Sequence, residues 1–373
     1  MSTLPSHGGL QETELRALQL KPEEVLDFSA STNPYGPDPR VVQALRGAAI
    51  ARYPDPFALH AREALGESQS VPANEIVLGN GAAELLWTLA RCLLQPGQRA
   101  LIAEPTFSEF RAAVRCAGAS AGEWRGSVEQ GFAVDLPALA EQARREAAPV
   151  VYLCSPNTPT GTALEAGEIS RWASAHPELT VVLDQSFLSL SECWADAAVR
   201  MPQNVVCVRS LTKDHGIPGV RVGYLIARPE LCRAAESCRP AWSTSAFAQV
   251  AALACAGSAS FVRESRERLL EDRRELGIAL QGLGIEPLPS CTNFLIARMP
   301  HVARLRGRLL AEHRILIRDC ASFGLSGFAR FAARPAADRQ RLVDALSTES
   351  LRVEVSLHAE APLHSEALQA ETS

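Results

Sequence analysis

Between Val71 and Cys255 the chain alternates two kinds of segment. Short apolar runs, RALIAE at 99–104, VVYLC at 150–154, TVVLD at 180–184, NVVCV at 204–208 and VGYLIA at 222–227, are separated by amphipathic stretches such as AAELLWTLARCLL at 82–94. Strands that are apolar almost throughout are covered on both faces, and the stretches between them supply the covering helices. The pattern predicts a large α/β domain with a doubly wound, mostly parallel sheet. Before it, a helix is expected from Pro39 to Ile50.

From Ser258 to Leu283 a charge-rich segment with helical spacing leads into a second pattern. TNFLIARM, VARLRGRLLAEH, RILIRDC, FARFAAR and AADRQRLVDAL read in order as strand, helix, strand, strand, helix, which predicts a small α+β C-terminal domain. The expected organisation is an N-terminal arm over 1–38, a large domain over 39–257 whose residues 39–70 also reach the small domain or a dimer contact, the small domain over 258–347, and a tail over 348–373. In that tail LRVEVSL alternates with period two and predicts an edge strand, while the Ala/Glu/Ser-rich end predicts disorder.

Composition narrows the classes of function. With 47% apolar residues among 373 the chain can bury a sizeable core, and a formal charge of -5 with mixed signs excludes the basic stripe of a nucleic-acid binder. No apolar run approaches a membrane span, and MSTLPSHGGLQETEL lacks the basic and apolar regions of a signal peptide, so a cytoplasmic enzyme of small molecules is expected. The ten cysteines contain no Cys-x-x-Cys pair and read as small core residues, with no metal site.

The chemistry-bearing motifs lie at the ends of the apolar runs. In SLTKDHGIPGVRVGY, Lys213 follows a strand and a Gly/Pro-rich loop leads to Arg221, an arrangement suited to an amine that attacks a carbonyl beside a phosphate-binding cation. GNGAAELLW places Gly81, Ala82 and Ala83 where free N–H groups and a helix dipole hold an anion. SPNTPTG makes a rigid turn that presents Asn157. TVVLDQSF ends a buried strand with Asp184, either as a helix N-cap or as the partner of a protonated ring nitrogen.

In this order the motifs resemble the fold-type I pyridoxal-phosphate enzymes of the class I/II aminotransferase superfamily, in the branch of threonine-phosphate decarboxylases and histidinol-phosphate aminotransferases. The resemblance implies pyridoxal 5'-phosphate as cofactor, Lys213 as the Schiff-base lysine and Asp184 as the pyridinium partner. It further implies Phe107 stacking on the ring, Asn157 at the phenolic oxygen, and Gly81, Ala82, Ala83, Ser210 and Arg221 around the phosphate. Tyr53 of RYPDP would reach across a homodimer to the partner's phosphate. Arg330 of FARFAAR, with Arg334 as competitor, would join Asn33 in gripping the substrate carboxylate, and His7 would close over a substrate phosphate.

Which bond breaks depends on orientation above the ring, and here too the reading rests on resemblance. HGG at 7–9, DFSASTNP at 27–34, PTFSEF at 105–110, PAWS at 240–243 and ILIRDCASFGL at 315–325 look like threonine-phosphate decarboxylases. The expectation is decarboxylation of L-threonine O-3-phosphate to (R)-1-aminopropan-2-yl phosphate, as in cobalamin biosynthesis. TNPYGP and RYPDP occur widely in histidinol-phosphate aminotransferases, which makes transamination of histidinol phosphate or a related amino acid the alternative. An inactive cofactor-binding protein is a third reading. Gln185, Ser186, Thr244 and Ser245 depart from the family pattern, and Phe187 stands where transaminases commonly have tyrosine.

Overall fold

The structure, a computed structural model, describes residues 7–359. A short strand β1 (Leu26–Asp27) precedes a seven-stranded sheet built from β2 (Ile76–Gly79), β3 (Arg99–Glu104), β4 (Ser120–Arg125), β5 (Val150–Cys154), β6 (Thr180–Asp184), β7 (Val205–Ser210) and β8 (Gly223–Ile226). The strand order is β2-β8-β7-β6-β5-β3-β4, with β8 antiparallel to both neighbours and the other pairs parallel. Strands β5 to β7 are buried at nearly every position because helices cover both faces. On one face Leu85, Leu86, Leu89 and Phe110 pack against Ile102, Tyr152 and Val206; on the other Leu139, Ile169 and Trp172 pack against Val151, Leu153 and Leu183.

The smaller unit holds β9 (Phe294–Arg298), β10 (Ile315–Leu316), β11 (Arg318–Asp319) and β12 (Phe328–Ala332). Strands β11, β12 and β9 form an antiparallel sheet, while β10 pairs in parallel with β1, so the N-terminal arm adds a strand to this unit. The helices Ala259–Gly282, Val302–His313 and Ala336–Ala359 cover it around Leu276, Leu309, Phe331 and Leu342. The helices Pro39–Arg46 and Leu59–Gln69 pack with Ala246–Ala256 in a cluster that contains Ile76 and Leu78 of β2.

Three sequence expectations need adjustment. The helix expected over Pro39–Ile50 ends at Arg46, with Gly47 at its C-cap, short of Ile50. Residues 351–357 continue the helix Ala336–Ala359 in place of an edge strand: an established helix adds one hydrogen bond per residue fixed, which outweighs a seven-residue alternation. Strands β2 and β4 extend the sheet on both sides of the apolar runs; β4 was hidden because exposed positions such as Ser120, Glu123 and Arg125 break its pattern. The expected disorder of the final residues lies outside the described residues. Among the described residues, no single helix is long and apolar enough to cross a membrane.

Candidate active site

The carboxyl ends of the parallel strands and the turn between β7 and β8 bring the chemistry together. Asp184 is the last residue of β6 and is buried. Its two oxygens are held separately: the Tyr152 hydroxyl donates to Oδ2 at 3.0 Å and the Ser186 backbone N–H to Oδ1 at 2.9 Å. Burial, with Asp184 beside it, pushes the Tyr152 hydroxyl well above its ordinary value, so it stays a donor. Lys213 sits on the single helical turn Leu211–Asp214 after β7, with Nζ 4.4 Å from the centre of the Phe187 ring. The side chain is part-exposed over its length, but desolvation lowers the amine pKa; Asp184, Cys154 and Asp214 oppose the shift and Arg330 adds to it.

An anion cradle lies beside this pair. Gly81 caps the helix Ala82–Leu93 with φ +82°, and a Cβ there would meet Arg221 Nη2 at 2.4 Å. The guanidinium therefore lies directly over the helix N-terminus, where the N–H groups of Ala82 and Ala83 lack intrahelical partners. Arg221 itself has a left-handed backbone, φ +58°. Because β7 and β8 are antiparallel, Ser210 and Gly223 are opposite each other, and the buried Ser210 hydroxyl sits 2.7 Å from Thr212 Oγ1. Phe107 lies part-buried against the sheet core, with its ring 5.4 Å from that of His7. Asn157 accepts from Thr106 Oγ1 at 2.8 Å and donates to Pro105 O at 2.8 Å and to Thr160 Oγ1 at 2.9 Å.

The cationic end is built from the small unit. Arg330 on β12 is buried, donating from Nη1 to Thr158 Oγ1 at 2.6 Å and from Nη2 to Ser29 O at 2.7 Å, while Nε is buried without a partner among the described residues. Desolvation pushes its pKa down to about 10. Its competitor Arg334 is engaged elsewhere, with Asp338 at 2.9 Å and Asp27 O at 3.2 Å. Asn33 uses both ends of its amide inside the protein, donating to Asp214 O at 2.9 Å and accepting from Tyr35 N at 2.9 Å. His7 Nε2 lies 2.5 Å from Glu109 Oε1, and with Trp87 Nε1 on the other oxygen it holds that carboxyl below its ordinary range. Tyr53 is on the surface at 77% exposure, stacked on Trp242 at 4.7 Å.

One arginine escaped the sequence reading. Arg318 on β11 is opposite Arg330 in the strand register, donates to His7 O at 3.2 Å and to Ser322 Oγ at 2.6 Å, and lines a cavity of about 330 Å³ together with His7, Gly8, Ser29 and Ser322. RILIRDC contains it, but what marks it is the register opposite Arg330, which the sequence does not display. Two of the unexplained departures also find partners: Gln185 accepts from the buried Arg209 Nε at 3.1 Å, and Ser245 caps the helix Ala246–Ala256 by accepting from Ala248 N at 3.1 Å.

A strand-end aspartate, a desolvated lysine and an anion cradle share one end of the doubly wound sheet, where an anionic ligand that also carries a cationic group would find partners for both. Residues 23–346 match the family described as "Aminotransferase class I and II". The chain belongs to this family. It is 33% identical to the histidinol-phosphate aminotransferase of Symbiobacterium thermophilum over 87% of this chain and 90% of that protein. Among solved structures, the histidinol-phosphate aminotransferase of Sinorhizobium meliloti in complex with pyridoxal-5'-phosphate superposes with a TM-score of 0.83 at 26% identity, covering 94% of this chain and 96% of that one. The L-threonine-O-3-phosphate decarboxylase of Porphyromonas gingivalis superposes at 0.76 with 28% identity, covering 87% and 99%.

The fold is fold-type I and the cofactor is pyridoxal phosphate, which the residues fit: the Gly81–Arg221 cradle leaves no room for a side chain, and the buried Asp184 carboxylate calls for a cationic partner. The expectation of a threonine-phosphate decarboxylase is corrected. The curated relatives at 28–33% identity are histidinol-phosphate aminotransferases, and the Sinorhizobium enzyme superposes better than the decarboxylase. The two branches share the cofactor-binding frame, and motifs such as HGG and PAWS do not encode the bond orientation that separates their chemistries.

Proposed function

We propose that the protein transfers the amino group of histidinol phosphate, or of a closely related amine, to a keto-acid acceptor. What carries this reading is the convergence of Lys213, Asp184 and Arg330 in one chain whose relatives over most of its length are histidinol-phosphate aminotransferases. When bound, pyridoxal phosphate supplies an electron sink for charge that develops at the substrate carbon. Asp184, oriented by Tyr152 and Ser186, presents a fixed carboxylate to the ring nitrogen. The Arg221 guanidinium and the helix that opens at Ala82 grip the cofactor phosphate. Lys213 moves a proton by way of Nζ, and desolvation, by favouring the neutral amine, lets Nζ accept it. Arg330, with Arg318 facing it, presents a cationic wall to the substrate anion, a phosphate in one half-reaction and a carboxylate in the other.

The reading includes a cytoplasmic homodimer. Ile50, Tyr53, Phe57, Trp242 and Phe247 are exposed apolar side chains, Tyr53 stacking on Trp242, and a second copy of the chain would cover such groups. The decisive test mixes the purified protein, pyridoxal phosphate, histidinol phosphate and 2-oxoglutarate and measures glutamate. Glutamate should form in step with loss of histidinol phosphate. Carbon dioxide release without an acceptor, or no reaction in a fully loaded protein, overturns the proposal.

A further inference from the structure

Lys213 stands on a short mount that is held from outside as well as by its own bonds. One helical turn of four residues has no intrinsic stability, and its last carbonyls have no partners within the turn. Local bonds close part of it, His215 N–H to Leu211 O at 3.2 Å, Ile217 N–H to Thr212 O at 3.0 Å and Gly216 N–H to Lys213 O at 3.4 Å; in addition, the successive carbonyls of Lys213, Asp214 and the C-cap His215 are all taken by one distant segment, residues 33–38. The Asn33 N–H donates to Lys213 O at 3.0 Å, Asn33 Nδ2 to Asp214 O at 2.9 Å, and the Asp38 N–H to His215 O at 3.0 Å. The two backbones touch: a Cβ on Gly36 would lie 2.7 Å from His215 O and 2.8 Å from Gly216 Cα.

A buried ion-dipole pair closes this contact. His215 Nδ1 lies 2.9 Å from Asp38 Oδ2, and both residues are almost fully buried. The other oxygen, Oδ1, accepts from Arg40 N at 2.9 Å and caps the helix Pro39–Arg46, so the carboxylate ties the lysine loop to a rigid element. The imidazole is stacked 6.0 Å from the Phe261 ring at 13°. Desolvation keeps it below its ordinary pKa, which makes it a neutral ring donating its Nδ1–H to the carboxylate.

We infer that Asp38 and His215 are positioning residues that hold the backbone of Lys213, and so aim its amine. Among the described residues no hydrogen bond or ion pair joins the pair to the cradle or to Arg330, so its loss should affect the approach of the amine and leave the grip on the substrate anion intact. This inference rests on Lys213 being the amine that captures the cofactor. The chain has only two lysines, Lys21 and Lys213, so that premise is checked separately by which of them borohydride fixes to pyridoxal phosphate in the unaltered protein.

The test compares the full chain with His215→Ala, His215→Asn and Asp38→Asn. Asparagine at position 215 places an amide N–H where Nδ1–H stands. The Asp38→Asn side chain, by contrast, no longer accepts at both positions, and this variant serves if His215→Ala does not fold. In the cofactor-free protein, hydrogen exchange at the backbone amides of residues 33 and 38 should speed up about tenfold in His215→Ala and Asp38→Asn, with β5 and β6 unchanged. Capture of pyridoxal phosphate by Lys213 and kcat should each fall about tenfold, KM should hold, and His215→Asn should recover most of the loss. Faster local exchange with unchanged capture and kcat overturns the inference. So does a loss of capture that merely follows the fall in global stability.

Discussion

Replacing Asp184 by asparagine isolates the charge of the strand-end carboxylate from its shape. The amide oxygen can still accept from Ser186 N, and the amide nitrogen can donate to the Tyr152 oxygen, so the two contacts that orient the side chain survive. What disappears is the negative charge that, in the proposed role, would face the ring nitrogen. Hydrogen bonds to charged groups are worth about 1.5–3 kcal/mol. Tenfold in rate corresponds to about 1.4 kcal/mol, so kcat should fall roughly 10- to 150-fold if the full interaction is made in the transition state. The assay is the initial rate of glutamate formation at saturating substrates, normalised to the fraction of Lys213 fixed by borohydride, with a thermal melt as a control for folding. A loaded, folded variant whose kcat lies within about threefold of the unaltered protein would refute the reasoning and make Asp184 a structural anchor of β6.

Three other outcomes follow from the same geometry. Lys213→Ala should abolish both turnover and borohydride fixation, since Lys21 stands outside the site segments; mass spectrometry of the fixed protein checks this. Arg330→Lys should raise KM for both anionic substrates about tenfold or more, because an ammonium lacks the planar two-point grip, while Arg334→Lys should leave KM nearly unchanged; steady-state kinetics separates them. Burial raises the Asp214 carboxyl from 3.8 to about 7, so the folded chain holds a proton that the unfolded chain releases. Its contribution to stability is complete below 3.8 and is lost as pH rises through about 7, so in the cofactor-free protein Asp214→Asn should flatten the melting temperature against pH over that window.

The central strands were legible because a parallel strand covered on both faces leaves a continuous apolar run, as in VVYLC and TVVLD. Edge and N-terminal strands were not, since Ser120–Arg125 carries polar residues and Ile76–Gly79 is only four residues long. Lys213, Ser210 and Arg221 stood out because the short stretch from the end of β7 to the start of β8 carries all three. Arg318 did not, because what marks it is its register opposite Arg330, a relation between strands that no local spacing records. Asn33 was visible as part of TNPYGP, but its bond to Asp214 O spans 181 positions and exists only in the fold. The choice of reaction was least legible, since it turns on the orientation of a substrate bond and not on the residues that hold the cofactor.

The left-handed backbone at Arg221 sets backbone stability and the anion cradle against each other at one position. A residue with a side chain pays about 1–2 kcal/mol to sit in this conformation, where glycine sits freely. Arg221→Gly would therefore relax the turn while stripping the cradle of its guanidinium. Variants selected for heat resistance alone, without the cofactor, would drift towards glycine here and emerge sturdier and inert.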